Sequence, residues 1–286
     1  MKRIALLAAS VLLLAGCSAA PTPDDNTIAV VASTNVYGDI AQTIGGDLVT
    51  VTSLIDGANQ DPHSFEASAQ DQLAISKADI VIENGGGYDD FIDTLLNASK
   101  GDPVVLNASE SFGLADGANE HLWYNLDATA AFAATIADAL AKADPANAET
   151  FDANEAEFAA GITQLADRAA ALGSGQRVAV TEPVPVYLLE TAGLVNATPE
   201  AFTEAIEEGG DVPPLALQQT LALFDDNSVV LLAYNDQTSS PETERVRDAA
   251  ETAGIPVLNF TETLPEGETY ASWMTANVDQ IEAAIG

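Results

Sequence analysis

Two histidines are all that this chain of 286 residues contains, and each stands in a phrase of acids and turn formers. His63 lies in Gln60-Asp61-Pro62-His63-Ser64-Phe65-Glu66, and His121 in Asn119-Glu120-His121-Leu122-Trp123-Tyr124. Imidazole is the commonest protein metal ligand, and it serves equally as general base or pH switch. Acids that could join the histidines follow two strand-like runs of the second half: Glu182 after Arg177 to Thr181, and Glu262 in Thr261-Glu262-Thr263 after Ile255 to Phe260. A carboxylate just past a strand end lies at the open rim of a parallel sheet, where α/β proteins bind ligands. Two such carboxylates facing two histidines from the first half would form an N₂O₂ donor set. Neutral imidazoles with two ionised glutamates would balance a divalent cation. Without that cation the carboxylates repel, and one tends to take a proton. Oxygen-rich ligation is tolerated by Mn²⁺, while imidazole also suits Zn²⁺ and Fe²⁺.

The elements that must position these groups alternate along the chain. Thr27 to Ser33, Leu48 to Leu54, Asp79 to Glu83 and Pro103 to Leu106 read as strands, with helical spacing at Val36 to Ile44, Ser68 to Lys77 and Tyr88 to Ala98. Such alternation predicts parallel βαβ units. Asn125 to Lys142 reads as a helix, and Asp144-Pro145 opens another that runs to Leu172, where Gly173-Ser174-Gly175 stops it. Its apolar residues Phe151, Phe158, Ile162, Leu165, Ala169 and Leu172 share one stripe, broken by Glu155. A rod of roughly 40 Å suits a connector across two lobes better than a coiled-coil seam. The alternation then resumes with strands at Arg177 to Thr181, Val229 to Tyr234 and Ile255 to Phe260, and helices at Val184 to Ala192, Pro241 to Ala253 and Tyr270 to Ile285. Gly85-Gly86-Gly87 follows a strand but lacks the spaced glycines and lysine of a nucleotide site, so a tight turn is expected there. Trp123, Trp273 and the phenylalanines are expected in the core or between the lobes.

The N-terminal residues bear on the compartment. Lys2 and Arg3 precede the apolar run Ile4 to Leu14, too short to cross a bilayer but suited to a signal peptide. It ends in Leu14-Ala15-Gly16-Cys17, which resembles a bacterial lipobox; that resemblance implies an acylated Cys17 and attachment to the outer face of the cell membrane. Residues 18–26 read as a tether. Cys17 is the only cysteine, so no intramolecular disulfide forms. The 44 acidic residues against 9 basic ones exclude a basic patch for phosphate, and so make nucleic acid an unsuitable partner. An anionic membrane surface would repel the protein, leaving the lipid to hold it.

The phrases in order carry a specific resemblance: AVVASTNVYGDIAQTIGGD, DPHSFEAS, ADIVIENGGGYDDFI, EHLWYNLDA, the long helix, VAVTEPVPVYLLETAGL and NFTETLPEGETYASWM. Over nearly its whole mature length the chain resembles the cluster A-I solute-binding lipoproteins of bacterial manganese and zinc ABC transporters. The resemblance implies an α/β fold of two Rossmann-like lobes with parallel sheets, bridged by one long rigid α-helix. The implied division is a leader with lipobox at 1–17, the tether, a first lobe at 27–143, the connecting helix at 144–174 and a second lobe at 175–286. It implies a transported divalent ion, Mn²⁺ first and Zn²⁺ second, and as partners an ABC permease with its ATPase. A monomer is expected. Family ligand positions fall on His63, His121, Glu182 and Glu262. Relatives usually have aspartate where this chain has Glu262, so Asp236, past another strand, is the fallback. Zinc-type relatives often carry a histidine-rich loop before the second ligand, and this chain has none. Asn35 and Tyr37, near the first strand end, are placed to line the cleft or to hydrogen-bond a ligand histidine, as groups around a metal site do.

Two other classes compete. Two histidines and two acids around a metal also describe a hydrolase, and the same scaffold can serve an adhesin or an organic-solute binder. A catalytic metal keeps a position open for water, which four protein ligands leave little room for. No Gly-x-Ser-x-Gly, His-Glu-x-x-His or phosphate loop is present either. The chain is therefore expected not to be an enzyme.

Overall fold

The structure is a computed structural model, which describes residues 27–57, 65–115, 117–173, 175–225 and 228–286. Cys17, the tether and His63 lie outside these residues. Two four-stranded parallel sheets form two α/β lobes. The first is built from β1 (Ile28–Thr34), β2 (Val49–Ile55), β3 (Ile80–Glu83) and β4 (Val104–Asn107), in the order β2-β1-β3-β4. The second contains β5 (Arg177–Val180), β6 (Val195–Asn196), β7 (Leu232–Asn235) and β8 (Val257–Phe260), in the same relative order, β6-β5-β7-β8. Each sheet thus reverses its strand order once, between β1 and β3 and between β5 and β7. The crevice outside the carboxyl ends of those strands is where such sheets take ligands.

Helices supply the crossovers: α1 (Asn35–Gly45), α2 (Ala69–Ile75), α3 (Phe91–Ala98) and α4 (Ala108–Phe112) in the first half, followed by α5 (Leu126–Ala143). The second half has α7 (Val186–Thr191), α8 (Glu200–Glu207), α9 (Pro214–Asp225), α10 (Pro241–Ala253) and α11 (Tyr270–Ile285). Between the halves runs α6 (Ala148–Ala170), 23 residues long, which at 1.5 Å per residue is about 35 Å. It starts later than expected because Asp144 caps a separate 3₁₀ turn at Pro145–Asn147, accepting from the Ala146 amide. Phe151, Phe158, Ile162, Leu165 and Ala169 are all buried, while Glu155 sits half-buried at the margin of that stripe. Burying such a side chain contributes ~1.5–3 kcal/mol for each large residue. The stripe lies against α1 and α5 of the first half and α7 and α11 of the second. One continuous core, including Trp123, Trp273 and Phe260, consequently runs through both lobes. Gly173 ends this segment where a Cβ would stand 1.9 Å from the Ala192 carbonyl oxygen, so the close approach to α7 requires glycine.

The three-glycine run is the expected turn. Gly85, Gly86 and Gly87 all have positive φ, and a Cβ on Gly85 would meet the Asn107 side chain at 2.4 Å. Backbone amides that could have cradled a phosphate are taken by the buried Asp89 carboxylate, which accepts from Asn84 and Gly85 at 2.7 Å each. Beside the turn, Glu83 pairs in register with Asn107 and accepts from its Nδ2 at 2.8 Å. Burial pushes the Glu83 carboxyl up to about 7, with Asp89, Asp93 and Glu110 adding to the rise and Asn107 opposing it. This group favours the fold fully below about pH 4.5, and its contribution is lost as pH rises through about 7. Glu83→Gln keeps the acceptor and removes the charge. Thermal melts should show the variant about 2 °C more stable than the parent at pH 8 and indistinguishable from it at pH 4. Equal differences at both pH values would remove the charge explanation.

Candidate metal site

The carboxyl ends of β5, β7 and β8 converge on one polar cluster. Glu182 stands two residues past β5, Asn235 ends β7, and Glu262 stands two residues past β8. All three are buried, with only 2% of each exposed. Asn235 Nδ2 donates to Glu182 Oε2 and, at 2.8 Å, to Glu262 Oε1, so one amide bridges both carboxylates. The Thr238 hydroxyl lies 2.5 Å from each Glu182 oxygen and donates there. Tyr88 of the first lobe donates to Glu262 Oε2 at 3.3 Å. Its phenol is held well above its usual range by burial first and the Glu262 charge second, so it remains a donor.

His121 comes from the other side. It follows the Asn119-Glu120 phrase, is fully buried, and lies against Tyr88 and Trp123, with ring centroids 5.8 and 5.1 Å away. Asn119 Nδ2 donates to the Pro183 carbonyl at 2.9 Å, which fixes that amide's orientation. Its oxygen therefore faces His121 Nδ1 at 2.7 Å and can only accept. The proton of a neutral ring is thereby held on Nδ1, and the Nε2 lone pair is turned outward, as a metal-ligating imidazole requires. Nε2 points across to Glu207 Oε1 of the second lobe, 3.3 Å away. Glu120, His121 and Glu207 each offer a ligand atom within 4.8 Å of the others.

Second-lobe residues Glu182, Glu207, Glu262 and Thr238 line a cavity of ≈ 380 Å³ that contains no Lys or Arg among its described lining residues. Glu182 is pushed up to about 8, by burial above all and then by the nearby Glu207 and Glu262 charges, against the hydrogen bonds from Thr238 and Asn235. The cavity is thus rich in oxygen donors, poor in counter-charge, and suited to a small cation.

The loops at the carboxyl ends of the two sheets are tied directly to each other. Asn35 grips Leu264 through both backbone groups, accepting from its amide at 2.8 Å and donating to its carbonyl at 2.9 Å. It therefore holds the Glu262 loop. Tyr37 is buried and donates to Asn84 Oδ1 at 2.5 Å, and Asn84 Nδ2 donates to the Glu120 carbonyl at 3.0 Å. Through Asn84, Tyr37 supports the His121 loop. Tyr187 donates to the Asn119 carbonyl and Tyr124 to the Thr261 carbonyl, both at 2.7 Å. Asp236 is exposed, with its amide bonded to the Phe260 carbonyl at 3.1 Å. Glu207, the last residue of α8, was not among the residues expected from sequence. The signal that could have found it is the Phe202–Ile206 apolar pair between Pro199 and Gly209-Gly210, which frames a short helix ending at the cavity.

Comparison with known proteins places this chain in a family. The family model of the periplasmic zinc-uptake complex component A matches residues 30–284. The iron ABC transporter substrate-binding lipoprotein MtsA of Streptococcus pyogenes serotype M1 is 26% identical over 317 aligned positions, covering 96% of this chain and 95% of that protein. The manganese ABC transporter substrate-binding lipoprotein PsaA of Streptococcus pneumoniae serotype 4 is 25% identical, covering 96% of each. Among solved structures, the solute-binding protein FpvC of Pseudomonas aeruginosa in complex with Ni²⁺ superposes with a TM-score of 0.74 at 25% identity, covering 91% of this chain and 97% of that one. With a family model matching nearly all of its described length, the chain belongs to the zinc-uptake complex component A family of periplasmic proteins.

Proposed function

We propose that this protein is the extracytoplasmic receptor of an ABC transporter, capturing a divalent transition metal between its lobes and handing it to a membrane permease driven by an ATPase. One observation carries the reading: Nε2 of His121, its tautomer set by Asn119, is turned to the second lobe and stands 3.3 Å from Glu207, which lines one cavity with Glu182 and Glu262. The relatives named above are substrate-binding lipoproteins of iron and manganese ABC transporters, not enzymes. The ligand set is His63, His121, Glu182 and Glu262; the buried carboxylate of Glu262, sharing Asn235 with Glu182, favours it over the exposed Asp236. Manganese is the first cargo and zinc the second, since two carboxylates suit the harder ion. Asn35 and Tyr37 position the two ligand loops. Acylation at Cys17 attaches the chain to the outer face of the membrane, with residues 18–26 as tether, 27–143 and 175–286 as the lobes and 144–174 joining them. The working unit is a monomer. Among the described residues no helix is long and apolar enough to cross a membrane.

Elemental analysis of protein purified from its native cells, followed by competition titration of Mn²⁺ against Zn²⁺, tests the reading. Close to one metal ion per chain is expected. Absence of stoichiometric metal, together with no thermal stabilisation by either ion, would sink it.

A further inference from the structure

The second lobe brings a third carboxylate to the cleft, one that neither the resemblance nor the family match assigns. Glu207 closes α8, its side chain is 12% exposed, and its Oε1 stands 3.3 Å from Nε2 of the fully buried His121. A lone pair and a carboxylate oxygen this close repel unless a cation or a proton lies between them. Metal ligand bonds of about 2.1 Å to nitrogen and to oxygen place neighbouring donor atoms roughly 3.0 Å apart at a right angle and about 3.4 Å apart at the tetrahedral angle. The observed separation falls within that bite. Glu207 also stands at the C-terminal, negative end of its helix, near Glu182 and in the lining of the same cavity as Glu182 and Glu262, so a cation bound there would meet several carboxylates.

We infer that Glu207 is itself a metal ligand, an additional second-lobe donor that binds the same ion as His121 and biases the site toward a cation preferring many oxygens. The inference rests on the metal-receptor reading given above. Its physical consequence is selectivity. Zn²⁺ is satisfied by four donors, whereas a hard ion such as Mn²⁺ gains from a further carboxylate. Because α8 is a second-lobe element and His121 a first-lobe one, the ion would bridge the lobes through this pair as well.

Glu207→Gln keeps shape and hydrogen bonding while weakening the donor, and Glu204→Gln, on an exposed position one turn earlier, serves as control. The full chain is titrated with Mn²⁺ and Zn²⁺, and with Co²⁺ as a spectroscopic probe. Glu207→Gln should lower Mn²⁺ affinity by about tenfold or more, the scale of losing even a supporting contact at a metal site. Zn²⁺ affinity should fall less, and the Co²⁺ d–d bands should change in position and intensity. Glu204→Gln should match the parent in all three. Unchanged bands and Mn²⁺ affinity in a folded Glu207→Gln chain would overturn the inference while leaving the receptor reading intact. Tighter binding would overturn it too, by making Glu207 a competitor of the ion for His121. A parent chain that takes up no metal at all would defeat the receptor reading, and the inference with it.

Discussion

Replacing His121 by alanine should weaken Mn²⁺ and Zn²⁺ binding by more than about 100-fold, because loss of an outer partner of a ligand alone costs 10–100-fold. The ring is fully enclosed, its Nδ1 is engaged by Asn119, and Tyr88 and Trp123 hold its plane. An imidazole held this way pays little entropy on binding an ion. The same enclosure means that truncation leaves a cavity, so the variant should also melt earlier without metal. Isothermal titration of the folded variant, checked by circular dichroism, separates the two effects. Asn119→Ala offers a milder companion, since it removes the group that sets the tautomer but leaves the ligand. Should His121→Ala, still folded, bind either ion as the parent does, the imidazole is a core residue and the site must be sought elsewhere.

Much of this architecture could be read before any coordinates. Strands β1 and β3 are apolar and β-branched because they are covered on both faces, and such runs are hard to mistake, whereas the edge strand β2 leaves Thr50 and Thr52 exposed. Glu182 and Glu262 were legible for a related reason: each directly follows such a run, and a parallel sheet leaves only its strand ends open. The stretch from Val195 to Asp225 was not legible. Its strand β6 has two residues, paired only with Arg177 and Val178, and its helices α8 and α9 are short, with apolar residues diluted by Glu, Gln and Thr. Phe202 and Phe224 are buried there, yet the second cluster they join is assembled from residues far apart in sequence. Because α8 was missed, Glu207 was missed with it. Asn235 escaped notice differently. Its role depends on two acids that approach only after β5, β7 and β8 are side by side, and no spacing within one segment encodes that meeting. Asn35 likewise acts across the lobes, on both backbone groups of Leu264.

Metal loading should stabilise the protein strongly and release protons, both in a pH-dependent way. Glu182 and Glu262 are buried 2% exposed beside one another, and Glu182 is pushed up to about 8 by burial and by its acidic neighbours. Between about pH 4.5 and 8 the metal-free fold therefore holds a proton that the unfolded chain has lost. The stabilising contribution is complete below about pH 4.5 and disappears as pH rises through about 8, so the empty protein should weaken toward alkaline pH. A divalent ion requires the carboxylate, so it must displace that proton. At pH 7 close to one proton per ion should appear from Glu182, measurable by titration calorimetry in buffers of different ionisation enthalpy. Affinity should climb by up to about tenfold per pH unit from this group and flatten above pH 8. With ion at a thousand times Kd, binding adds about 4 kcal/mol, which for a chain of this size raises Tm by roughly 10 °C. The rise should be smallest at pH 5 and largest near pH 8, and Glu182→Gln should flatten the profile along with the affinity. A Tm increment and proton count independent of pH would mean that Glu182 does not bind the ion, and that the cluster around Asn235 is a buried hydrogen-bond network instead.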